Sequence, residues 1–397
     1  MPSEPQVHGH CDPRFESVRR VFSENLKSGA DLGAGVAFSL HGELVVDLWG
    51  GFLEPEGGEP WQRDTLVNLY STTKGMVAIC VQQLVERGQL DLDAPVAEYW
   101  PEFSAAGKQA IPVRQLLCHQ AGLPAVRKPL ETSVLYDWET FASALAAQEP
   151  WWEPGTRHGY HAITFGHLVG EVIRRISGQS VGQFFRANVA EPLGVDFHIG
   201  LADKDHPRTS RLHGRLMGGD GSSGGGGSIP EPLKAFMRDM ADPTTMTGGA
   251  FNNPRIPPDA VNTPEWRRAE IPAANGHGTA RALARVYGAL AQGGEIDGVR
   301  ILETESIERA IAVQADGPDA VLGGMPMRFG LGFMLRSPIM PLSPNKRAFG
   351  HPGAGGSIGM ADPDAGVGFG YTPNKMQMGL VGGAGGFAML KTFFDAL

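Results

Sequence analysis

Ser71-Thr72-Thr73-Lys74 sets a hydroxyl and an amine three residues apart at the mouth of a predicted helix. On a helix that spacing puts both side chains on one face, and the N-terminal end favours negative charge on the oxygen. A lysine drawn into a poorly solvated pocket loses part of its ordinary pKa of about 10.4 and acts as a base near neutrality. Those are the needs of an activated serine nucleophile. The same four residues also suit a capping serine before an ordinary surface lysine, so the rest of the chain must decide.

Two other serines compete. Gly355-Gly356-Ser357-Ile358-Gly359 fits the G-x-S-x-G elbow of α/β-hydrolases, which needs a helix after the serine and a histidine later in the chain. The residues after Ser357 read as strand and turn, and the last histidine, His351, precedes it. The elbow fails on chain order. Ser343-Pro344-Asn345-Lys346 repeats the Ser-x-x-Lys spacing, but Pro338 and Pro341 before it promise a loop rather than a helix. Tyr160 stands just ahead of a predicted helix. A tyrosine held near a lysine has its phenolate stabilised and can pass protons to a leaving group; alone, it is a boundary aromatic. His8-Gly9-His10-Cys11 reads as a frayed terminus, and His158 and His161 lack a third ligand at suitable spacing. No metal and no cofactor are expected.

The elements that must position these groups follow from periodicity. Residues 65–70 read as a strand and 75–87 as an amphipathic helix, with Val77, Cys80, Val81, Leu84 and Val85 on one stripe and Gly88 as its C′ residue. Ser71, Lys74, Ala78 and Val81 share a face, which points the lysine toward packed protein. Before them come a helix over 14–26 and strands 34–40 and 43–49 around a His41-Gly42 hairpin turn. After them, helices are predicted over 113–119, 139–147, 163–176, 181–189 and 279–292. Strands return at 329–335, 356–361 and 367–371, and a helix over 386–397 closes the chain. This is an α+β pattern: an antiparallel sheet from both chain ends, flanked by helices, with a mostly helical second lobe inserted. The expected division is 1–78 plus 280–397 for the sheet lobe and 79–279 for the helical lobe. Residues 218–228, GGDGSSGGGGS, read either as a solvated connector or as a mobile lid.

At 397 residues the chain can bury a sizeable core, and its 34 Lys+Arg against 43 Asp+Glu leave no basic footprint for nucleic acid or an anionic membrane. Three scattered cysteines argue against a disulfide framework. No secretory signal and no membrane-spanning apolar run are visible, so a cytoplasmic protein with a small-molecule substrate is expected.

Taken in order, Leu69-Tyr70-Ser71-Thr72-Thr73-Lys74, Tyr160-His161-Ala162 and Gly350-His351-Pro352-Gly353-Ala354-Gly355-Gly356-Ser357 resemble the serine β-lactamase and penicillin-recognising family. Within it they are most similar to the family VIII carboxylesterases, which share a fold with class C β-lactamases and DD-peptidases. Gln115 to Pro124 and Pro154-Gly155-Thr156 add to the match, which runs from about residue 15 to the C-terminus. The resemblance implies that Ser71 is the nucleophile, Lys74 its base or proton relay and Tyr160 a second acid/base. It also implies that the Ser71 and Ala354 N–H groups form the oxyanion hole, and that His351-Pro352-Gly353 replaces the Lys-Thr-Gly strand of lactamases beside the substrate. His351 and Ala162 stand where lactamases keep a cation and an asparagine. Both changes suit an uncharged ester better than a β-lactam. The expected activity is hydrolysis of short-chain carboxylic esters, with acyl transfer to alcohols as a variant. The alternatives are a β-lactamase, a D-amino peptidase or a catalytically silent penicillin-binding module. Trp151, Trp152 and Tyr136 are expected to line an acyl pocket.

Overall fold

The two ends of the chain meet in the middle of one sheet. The computed structural model describes residues 4–214, 231–377 and 382–397. Strands β1 (Val7–Cys11), β2 (Gly33–Leu40) and β3 (Glu43–Gly51) come early in the chain. Strands β4 (Val67–Asn68), β5 (Phe197–Ile199) and β6 (Gly276–Gly278) form a separate three-stranded sheet, and β7 (Glu295–Ile296) and β8 (Val299–Arg300) a small hairpin. Strands β9 (Ala315–Pro318), β10 (Pro326–Phe329), β11 (Met334–Leu335), β12 (Phe349–Pro352), β13 (Ile358–Asp362) and β14 (Val367–Pro373) complete the large sheet. Its order is β1-β3-β2-β14-β13-β12-β11-β10-β9, antiparallel at every pairing.

The two faces of β14 explain the layers, because alternate residues of a strand point to opposite sides. Phe369 faces Phe38 of β2, and Phe38 stacks on Phe393 of the closing helix Ala384–Ala396 at 4.0 Å between ring centroids. Helix Glu16–Lys27 packs beside that helix. Gly368 and Gly370 face the other way, onto helix Ala280–Ala291, whose backbone lies directly against the strand. Beyond that helix lies Thr73–Glu86, in which residues 73–84 are all buried.

Several expectations need correcting. Helix Thr73–Glu86 is not half-exposed: Gln83 donates to the Asn188 and Ile301 carbonyls and Gln82 accepts from Arg309, so its polar residues are buried with partners. The supposed frayed terminus is edge strand β1, paired with β3 from Val7↔Gly50 to Cys11↔Val46. Its middle side chains are exposed, so the ladder of backbone bonds holds it and no apolar alternation announces it. The predicted strand over 329–335 breaks at Gly330–Gly332 into β10 and β11. The stretch 65–70 keeps only two strand residues, and the 181–189 helix passes from α to π geometry at Arg186–Ala190. The hairpin at His41-Gly42 forms as expected, with Leu40 opposite Glu43 and both turn residues at positive φ. The tract over 218–228 lies outside the described residues.

A second buried lysine, Lys108, donates through Nζ to the carbonyls of Ala105 (2.8 Å), Ala146 (2.9 Å) and Gln148. No helix among the described residues is long and apolar enough to cross a membrane. Nor do three His, Cys, Asp or Glu side chains among them converge as a metal site would require.

Candidate active site

Ser71 sits in the turn between β4 and helix Thr73–Glu86. The residue before it, Tyr70, has φ +43°, a left-handed conformation that costs a bulky residue energy. Neighbouring bonds hold it there. Thr73 Oγ1 donates to the Tyr70 carbonyl at 2.6 Å and accepts from Gly276 N–H at 2.8 Å. Ser357, the rejected nucleophile, is buried behind the turn, where its Oγ donates to the Leu69 carbonyl at 2.8 Å and meets Thr72 Oγ1 at 3.0 Å. Gly353 closes the same contact, since a Cβ there would lie 2.2 Å from the Leu69 carbonyl oxygen.

Lys74 is wholly buried, and its Nζ lies 3.0 Å from Ser71 Oγ, 2.8 Å from the Ala162 carbonyl and 3.0 Å from the Ala273 carbonyl. Burial without a facing carboxylate pushes its pKa well below the ordinary 10.5. A neutral amine has two N–H groups and one lone pair. Two carbonyls can take the N–H groups, which leaves the lone pair directed at the serine hydroxyl.

Tyr160 lies across the serine. Burial pushes its phenol above the usual 10, while a hydrogen bond with the Ser71 side chain works in the opposite direction. Lys74 Nζ is 4.8 Å from the centre of the tyrosine ring. Burial thus biases the pair toward amine and phenol, both uncharged, and away from ammonium and phenolate.

A cavity of about 570 Å³ opens over these groups, with Ser71, Tyr160 and Ala354 in its lining. Its walls include Met237, Met240, Phe251, Ile256 and Met376, and no charged side chain appears among its described lining residues. His351 does not line it. That ring is buried against Tyr160, 6.2 Å between centroids, with Nδ1 2.8 Å from the Pro352 carbonyl. Burial takes its pKa down to about 3, so it is neutral.

The expected acyl-pocket aromatics lie elsewhere. Trp151 donates to the Ala125 carbonyl at 2.9 Å, Trp152 packs edge-on against His161, and Tyr136 borders a separate cavity of about 250 Å³. Nearness in sequence to Tyr160 did not make them neighbours of the serine. The apolar wall comes instead from helices Glu231–Ala241 and Met246–Asn252. Its sequence signal is the pair Met237 and Met240 in the first of these helices, with Met237 partly exposed. Asn275 was also missed. Its side chain accepts from Ile271 N–H at 2.8 Å and donates to the Trp266 carbonyl at 2.9 Å, fixing the loop that presents the Ala273 carbonyl to Lys74.

Comparison with known proteins bears on the family and the fold. The Beta-lactamase family model matches residues 18–385. The chain is 38% identical over 382 residues to Esterase/beta-lactamase LipL of Mycobacterium tuberculosis (strain ATCC 25618 / H37Rv), spanning 95% of this chain and 85% of that protein. A crystal structure of a family VIII carboxylesterase superposes with a TM-score of 0.89 at 40% identity, covering 99% of this chain and all of the other. A penicillin-binding protein homolog from Caulobacter crescentus superposes at 0.88 with 39% identity and the same coverage.

Proposed function

The chain belongs to the Beta-lactamase family as a serine hydrolase, and we propose that it cleaves short-chain carboxylic esters through an acyl-enzyme on Ser71. The observation that carries this reading is the three-way contact of Lys74 Nζ with Ser71 Oγ and two backbone carbonyls. The amine takes the Ser71 proton as Oγ attacks the ester carbonyl. In this reading the tetrahedral oxyanion is met by the N–H groups of Ser71 and Ala354, both of which line the cavity. Tyr160 gives its phenolic proton to the departing alkoxide, and the proton that Lys74 took from Ser71 restores the phenol. Water, or an added alcohol, then reverses the sequence and frees the acid or a new ester.

Neutral substrates are favoured because the cavity's described walls offer no partner for a substrate charge. His351 cannot stand in for a lactamase cation while it is buried and neutral. A cytoplasmic location and the division into a sheet lobe (1–78 plus 280–397) and a helical lobe (79–279) belong to the same proposal.

A fluorophosphonate label with peptide mapping tests the nucleophile: the adduct is expected on Ser71 and absent from Ser71→Ala. Full activity of Ser71→Ala, or an adduct elsewhere, would refute the assignment. Rates on p-nitrophenyl butyrate and a chromogenic cephalosporin separate esterase from β-lactamase, and a clear preference for the cephalosporin would reverse the substrate class.

A further inference from the structure

Tyr160 is carried on neither helix nor strand, so contacts from outside its loop must hold it. On one side the loop meets the turn after β9. Tyr160 N–H donates to Asp319 Oδ1 at 3.1 Å, and Ala320 N–H donates to the His158 carbonyl at 3.1 Å. The same Asp319 oxygen accepts Val321 N–H and Leu322 N–H, each at 2.8 Å. Asp319 is wholly buried, and its other oxygen stands 4.0 Å from His158 Nε2. A Cβ on Gly159 would lie 3.1 Å from Val321 Cγ2 and 3.3 Å from Ala320 Cβ of the turn, and 2.8 Å from Trp152 Cη2, so side chains close tightly over this glycine. On the other side Gly159 N–H donates to the His119 carbonyl at 3.0 Å, and Phe329 of β10 stacks on the tyrosine ring.

A buried carboxylate is costly unless donors surround it. Two of the three N–H donors here belong to the aspartate's own turn and would hold that turn without the third. The third belongs to the tyrosine. We propose that Asp319 is a positioning residue for Tyr160, fixing the phenol over Ser71 through the tyrosine backbone. This rests on Tyr160 being the acid for the leaving group. The aspartate charge also favours the protonated phenol, which is the form an acid needs.

The discriminating readout is the leaving group. A p-nitrophenolate departs unprotonated at neutral pH, whereas an ethoxide requires a proton as it leaves. The values of kcat/KM, which report acylation, are measured on p-nitrophenyl butyrate and ethyl butyrate for wild type, Tyr160→Phe, Asp319→Ala, Asp319→Asn and Gly159→Ala. All are expressed per site titrated by a fluorophosphonate, so unfolded protein is not counted.

Asp319→Ala is expected to lose about 10- to 100-fold on the ethyl ester, the scale of a misplaced catalytic group, and under about threefold on the p-nitrophenyl ester. Asp319→Asn keeps the accepting oxygen and should stay within about threefold of wild type on both. Equal losses on the two esters in Asp319→Ala, or no loss, overturn the positioning role. If Asp319→Ala yields no titratable sites, Gly159→Ala decides, because its methyl wedges the loop from the turn; the same selectivity is expected and equal losses overturn. Should Tyr160→Phe itself show no selectivity, the acid role falls and this inference with it. Selectivity in Tyr160→Phe without it in the other two variants removes the positioning role alone.

Discussion

Lys74 and Lys108 are both fully buried, and one acceptor separates them: Lys108 Nζ meets three carbonyls, Lys74 Nζ two carbonyls and the Ser71 hydroxyl. Three carbonyls match the three donors of an ammonium. Lys108 accordingly ties the end of helix Trp138–Ala147 to the turn at Ala105, and burial brings its pKa down only to about 8. Lys74, with no third carbonyl, is built to be neutral.

That difference predicts a pH signature. In the unfolded chain Lys74 keeps its proton up to about 10.4, whereas burial in the fold makes it give the proton up well below that, so between the two the unfolded state binds the extra proton. Stability should therefore rise with pH between the lowered folded pKa and about 10.4, by about 1.4 kcal/mol per unit. Lys74→Met is expected to remove that increment from urea-unfolding free energies measured across pH 7–10. It should also lower esterase kcat/KM by about 10²- to 10⁴-fold, the usual worth of a positioned base. An unchanged slope would mean that Lys74 is charged in the fold.

The uncharged cavity predicts discrimination against charge on the acyl chain. A p-nitrophenyl monoester of succinate has nearly the length of the butyrate ester but ends in a carboxylate. Burying that anion without a partner should cost it on the order of 100-fold or more in kcat/KM relative to butyrate. Comparable rates on the two esters would show that a cation reaches the substrate.

Gly75 predicts a repairable clash. A Cβ there would sit 2.2 Å from the Tyr287 hydroxyl oxygen, with the ring carbon behind it at 3.3 Å. Gly75→Ala should destabilise by about 1–3 kcal/mol, the cost of overpacking, and reduce activity because Lys74 is the adjacent residue. Adding Tyr287→Phe deletes the clashing oxygen and should recover most of both losses. Strict additivity of the two substitutions, read from thermal melts, would place the strain elsewhere.

Buried histidines predict acid sensitivity. His161, His167, His277 and His351 are pushed by burial from 6.5 to about 3. Below pH about 6.5 the unfolded chain takes protons that the fold refuses, so stability is intact above that pH and falls toward pH 3. Each group adds about 1.4 kcal/mol per pH unit to the loss. Melting temperatures should drop steeply between pH 6.5 and 4.5; a flat profile would show that the imidazoles find charged partners on protonation.

What could be read in advance divides along a physical line. Elements carried by apolar period were legible, which covers the long helices, the β2–β3 hairpin and the antiparallel sheet from both ends. Ser71 and Lys74 were legible because one helical turn fixes their relation whatever the fold. Edge strand β1 was not, since its exposed middle carries no apolar alternation, nor was the break at Gly330–Gly332. The methionines of the cavity wall reach the site across long sequence separations, and Asn275 and Asp319 do so through carbonyls and N–H groups that residue types do not reveal. Ser357 shows the converse: its motif was conspicuous but failed on chain order, and its Oγ braces the turn that carries Ser71.

The seam between β2 and β14, where Val36 lies opposite Tyr371, has a consequence for how the protein comes into being. Closing a loop of that length carries an entropic cost that only the finished sheet offsets. The strands bracing Ser71 also follow the helical segments in the chain, so during translation the nucleophile helix emerges long before Ser357 and Ala354 exist. The nascent protein must therefore keep a largely apolar helix out of trouble until the strands around Ser357 have been made, a slow path of long-range pairing that invites chaperone holding. Activity should appear abruptly once β14 can pair with β2, not grow with chain length.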